Sequence, residues 1–108
     1  MKLGIILQSN NPEHIWNTLR LGIVSLKTKH SIQIFLFSEG VEIEDIKDTR
    51  HFDISAKLQE FKELNGIILA CETCLQVRSK TESKVCPTTT MKDLVKMIED
   101  SDKVLVFG

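Results

Sequence analysis

Asn65-Gly66-Ile67-Ile68-Leu69-Ala70-Cys71-Glu72-Thr73-Cys74 carries three signals in succession: a helix stop, a short apolar strand and the start of another helix. The Asn-Gly pair closes a stripe of Ile54, Leu58, Phe61 and Leu64, whose three- and four-residue spacing belongs to one helical face. Ile67 to Ala70 is continuously apolar, as a strand covered on both faces must be. From Cys71 the residue types favour a short helix over roughly Glu72 to Ser79. Strands alternating with helices imply βαβ units and a mostly parallel sheet. In such sheets ligands and reactive groups gather beyond the carboxyl ends of the strands, where Cys71 sits.

Working outward, the same alternation repeats. Leu3 to Leu7 and Ile32 to Phe37 are strand-like, and Lys103 to Phe107 is a last strand. Asn11-Pro12 starts the first helix, with Asn as cap and Pro where a missing N–H costs nothing. Its buried stripe is Ile15, Trp16, Leu19, Ile23 and Leu26, with Trp16 expected in the core. Ser38-Glu39-Gly40 reads as a turn, and residues 41–52 as a charged loop with at most one helical turn. Between Lys80 and Pro87, Val85-Cys86 is the candidate fourth strand. Thr90 with Asp93 forms a capping box, and Met91, Leu94, Val95 and Ile98 form the buried stripe of the last helix. The carboxyl-edge loops therefore begin at Ser9, Ser38, Cys71 and Pro87.

A chain of 108 residues is one domain's worth of polypeptide. With 14 basic and 15 acidic side chains, and no basic cluster, it offers nothing that would draw nucleic acid or an anionic membrane. No apolar run approaches the ~20 residues of a membrane helix, and the N-terminal run is too short for a signal-peptide core. The expected location is the cytoplasm. Three cysteines are an odd number, and a reducing compartment keeps them as thiols unless one is chemically active.

Cys71-Glu72-Thr73-Cys74 places a C-x-x-C at a strand-to-helix junction. Unpaired N–H groups at a helix start favour the thiolate, the reactive form of cysteine, so Cys71 is the candidate nucleophile. Glu72 opposes that effect. Cys74 is the auxiliary thiol, three residues into the helix, where packing against the core is the plainer alternative. Arg78 lies on the same stripe about two turns from Cys71, a candidate contact for an anion or a partner. Cys86 is a resolving thiol or a packed side chain. One cysteine pair plus scattered His14, His30 and His51 does not make a zinc site, so neither metal nor cofactor is expected. Phosphate-binding glycine loops and the G-x-S-x-G elbow are absent.

Several segments together resemble the DsrE/DsrF-like proteins: Asn11-Pro12, Phe37-Ser38-Glu39-Gly40-Val41, and Ala70-Cys71-Glu72-Thr73-Cys74 with Arg78 following. Met91-Lys92-Asp93-Leu94 and Asp102 to Phe107 fit the same pattern, so the likeness runs from Met1 to Gly108. It implies a three-layer α/β/α sandwich around a five-stranded, mostly parallel sheet, assembled as a homo-oligomer such as a trimer or hexamer. Sulfur-relay members, the TusD-like proteins among them, carry sulfur as a persulfide on the cysteine that corresponds to Cys71. Sulfur donor and acceptor proteins, or small sulfur compounds, are the implied partners. The chain departs from the family at Ser79 and Lys80, where relatives commonly place Gly, and at Cys86. Three readings stay open: sulfur transfer through Cys71, a dithiol redox switch of Cys71 with Cys74 or Cys86, and a non-catalytic oligomeric binding module.

Overall fold

The alternation predicted from sequence is built as five parallel strands and four helices. The computed structural model describes residues 1–108. The strands are β1 (Lys2–Leu7), β2 (Ser31–Leu36), β3 (Ile67–Cys71), β4 (Thr88–Thr89) and β5 (Lys103–Phe107), and every neighbouring pair is parallel. Helices α1 (Pro12–Lys27), α2 (Ile54–Glu63), α3 (Glu72–Val77) and α4 (Met91–Asp100) connect them, with a 3₁₀ helix over Ser38–Asp45. The sheet order is β4-β3-β2-β1-β5. Three successive crossovers step one way and α4 carries the chain back across the sheet. Right-handed crossovers therefore put α1 and α2 on one face and α4 on the other.

Side chains alternate between the two faces along each strand. Leu3, Ile5, Leu7, Ile32, Ile34, Leu36, Ile68 and Ala70 share the face under α1 and α2, and all are buried. Phe61 of α2 fills the gap between the helices and the sheet: a Cβ on Gly22 of α1 would lie 2.7 Å from its ring, and one on Gly66 2.4 Å. On the opposite face α4 crosses at Gly4, where a Cβ would come within 2.2 Å of the Met97 sulfur.

Local signals hold where predicted. Asn11 Oδ1 accepts the N–H groups of Glu13 and His14, and Thr90 with Asp93 forms the capping box of α4. Asn65 ends α2 in the left-handed region, at φ 67°, in a Schellman motif. Helices α1 and α3 end in the same motif through Lys29 (φ 69°) and Ser79 (φ 53°). Ser79 thus carries a Cβ where glycine is preferred, a strain of about 1 kcal/mol. No helix is long and apolar enough to cross a membrane.

Four expectations need correction. Residues 38–45 form an eight-residue 3₁₀ helix rather than a turn followed by loop. Gly40, Ile43 and Ile46 repeat at three residues, the 3₁₀ period, which a search at 3.6 misses. The fourth strand is Thr88–Thr89, not Val85–Cys86, because the Ser83 hydroxyl takes the Cys86 N–H at 3.0 Å and folds that stretch into a turn. Pairing with β3 starts where the Pro87 carbonyl accepts the Ala70 N–H. Trp16 is half-buried at the periphery: its indole N–H donates to Asp53 and its ring meets Phe52 edge-on. The stripe of α4 is only partly buried. Leu94 and Met97 are buried, while Met91, Val95 and Ile98 stand half exposed, as does Val106 of β5.

Candidate functional site

Cys71 ends β3 and is the N-cap residue of α3, the junction read from the sequence. Its surroundings differ from the expectation. It is 5% exposed and lines none of the cavities. Burial, and then the neighbouring Cys74 thiol, push the Cys71 thiol up; the amides of Cys74 and Thr73 pull less strongly the other way. The predicted gain of thiolate from the helix start is thus outweighed by desolvation, since a single turn of N–H groups does not replace water. No capping hydrogen bond forms from the Cys71 side chain.

Cys74 is half-buried, and its Sγ accepts the backbone N–H of Ser38 at 3.3 Å. Ser38 itself sits at φ 51°, at the entry to the 3₁₀ helix. The tight path is set by Gly40, where a Cβ would lie 2.0 Å from the Leu7 carbonyl oxygen, so the 3₁₀ helix presses against the carboxyl end of β1. The 3₁₀ helix also contacts β2, β3 and α3.

Arg78 belongs to this cluster, but its guanidinium is already engaged. Nη1 donates to the Cys74 carbonyl at 3.1 Å and Nε to Glu42 Oε2 at 2.8 Å. Glu42 is also approached by Asn10 Nδ2, and Arg78, followed by Asn10, holds its carboxyl below the usual range. An incoming anion would have to compete with Glu42 for Arg78. The sequence reading missed Ser38, Asn10 and Glu42 as site residues. Ser38 belonged to the Phe-Ser-Glu-Gly-Val segment already singled out; Glu42, one acid among several in a charged stretch, carried no signal.

Cys86 stands apart. It lines a cavity of about 370 Å³ with Val41, Glu44, Leu75 and Lys80. Burial, reinforced by the Glu44 carboxylate, pushes its thiol up to about 12. His14 is bonded to Ser9, and His30 to the N-terminal amine. All three cysteines are free thiols.

With this geometry in place, residues 1–107 match the DsrE/DsrF-like family over their whole span. This chain belongs to the DsrE/DsrF-like family. Its fold is similar to that of the crystal structure of the ychN protein from E. coli, with a TM-score of 0.83 and 23% identity over 99% of this chain and 100% of that one. An uncharacterized protein of Methanocaldococcus jannaschii, MJ0989, is 26% identical over 115 residues, covering 99% of this chain and the whole of the relative. The three-layer sandwich and five-stranded parallel sheet expected from the resemblance are those of the family fold.

Proposed function

We propose that this member of the family works in cytoplasmic sulfur relay, with Cys71 taking up sulfane sulfur as a persulfide and passing it to a partner thiol. The observation that carries this reading is the placement of Cys71 where β3 hands over to α3, beside a second thiol and at the edge where parallel sheets do their chemistry. Burial of Cys71 hinders direct loading from solvent, and the six-residue α3 is tied to the 3₁₀ helix by the Arg78–Glu42 ion pair at its end.

Donor and acceptor are proteins or small sulfur compounds bearing reactive thiols. The half-exposed apolar side chains Met91, Val95, Ile98 and Val106 support a homo-oligomer, a trimer or hexamer, assembled through the α4 face. The placement of Cys74 in the first turn of the helix that Cys71 caps favours a second reading, a dithiol switch. One experiment separates the two. After incubation of the reduced protein with a sulfane-sulfur donor, intact mass and peptide mapping are expected to show one added sulfur on Cys71. A loss of two hydrogens with no sulfur gained at any time point selects the dithiol switch, and no change in mass overturns both.

A further inference from the structure

We propose that sulfane sulfur enters this chain at Cys74 and moves from there to Cys71. This rests on the sulfur-relay reading and adds to it a receiving thiol. Cys71 and Cys86 are each 5% exposed, whereas Cys74 is half-buried, the most open of the three. A donor arriving from solvent therefore meets Cys74 first. The Ser38 N–H, supplied from a separate segment, donates to the Cys74 sulfur at 3.3 Å and fixes where that sulfur sits. Arg78 holds the Cys74 carbonyl, and through Glu42 ties this turn to the 3₁₀ helix, so the sulfur keeps its place. Cys71 and Cys74, three residues apart across the first turn of α3, lie on the same side. In that arrangement the Cys74 thiol adds to the burial that pushes the Cys71 thiol up.

The chemistry balances without an oxidant. The Cys74 thiolate attacks the outer sulfur of a donor persulfide; the donor S–S bond breaks, the donor leaves as its thiolate, and Cys74 becomes a persulfide. Cys71 then attacks that outer sulfur and passes its proton to the departing Cys74 thiolate. One S–S bond forms and one breaks, and the sulfane sulfur keeps its oxidation state. Burial of Cys71, which hinders direct loading, shields the persulfide once it has formed there. Attack on the inner sulfur instead closes a Cys71–Cys74 disulfide and expels hydrogen sulfide, also in balance, and is the side reaction of this arrangement.

The full-length protein, reduced and mixed with inorganic polysulfide, is quenched at intervals and mapped by mass. The wild type is expected to show added sulfur on Cys74 first and on Cys71 later. Cys71→Ser should retain it on Cys74, and both Cys74→Ser and Cys74→Ala should load Cys71 about tenfold more slowly or worse. Iodoacetamide reports on structure independently: its rate with Cys71 should not fall in the Cys74 variants. Loading of Cys71 at the wild-type rate in those variants overturns the entry role and leaves the relay standing. A parallel fall in alkylation overturns it too, by making Cys74 a structural residue. Failure of every cysteine in the wild type to take up sulfur sinks the relay itself.

Discussion

On one side of the sheet, β1 to β3 bury every inward side chain under α1 and α2; on the other, the same strands share α4 alone, and Ile67 is left 50% exposed. The strands themselves do not foretell this. Both alternating sets along Leu3–Leu7 and Ile67–Ala70 are apolar, as strands between two covering layers require. The difference comes from the order β4-β3-β2-β1-β5, which sends α1 and α2 to one face and a single return helix to the other. One ten-residue helix does not span five strands. The lesson is that apolar periodicity reports which residues seek cover, and connectivity decides which of them find it within their own chain.

Three measurements test that contrast. The largest effect is expected at Phe61, fully buried between Gly22 and Gly66 on the covered face. Phe61→Ala should cost about 3–5 kcal/mol in denaturant unfolding, because the two packed helices collapse only partly into the space left behind. A loss below about 1 kcal/mol would mean that this face is no better packed than the other. Next comes Thr90→Ala, which removes the cap of the one helix on the open face and should cost about 1 kcal/mol. The smallest effect on folding is expected from Val95→Glu with Ile98→Glu, within about 0.5 kcal/mol per site, since both side chains already meet water. Sedimentation should nevertheless shift toward the monomer in that double variant. An unchanged sedimentation coefficient would remove the α4 face as the surface of assembly.

The same contrast marks how far the residues could be read in advance. Helix starts at Asn11 and Thr90 and the stop at Asn65 were legible, because each is a local hydrogen-bonding choice within a few residues. The stripe Met91, Leu94, Val95 and Ile98 was recognised as apolar but assigned wholly to the core, since a helical wheel contains no account of how wide the neighbouring sheet is. Cys86 was misplaced for a related reason. Val85-Cys86 has strand-like residues, yet a Ser83 hydroxyl closing on the Cys86 amide wins over a ladder bond. At the site, Cys71 and Cys74 were found by spacing. Their environments were not, because the Ser38 hydrogen bond to Cys74 joins segments 36 residues apart and Cys71 is buried only in the assembled core.

By itself the amino-acid sequence determined the alternation of strands and helices, the parallel sheet and the position of the cysteine pair at the end of its third long strand. These follow from periodicity and capping, which act over one or two turns of chain. Only the tertiary structure decided that Cys71 is sealed while Cys74 is half open, that Arg78 is held by Glu42, and that one face of the sheet lacks a second helix. Those outcomes depend on desolvation and on contacts between distant segments, and neither exists until the strands have taken their order.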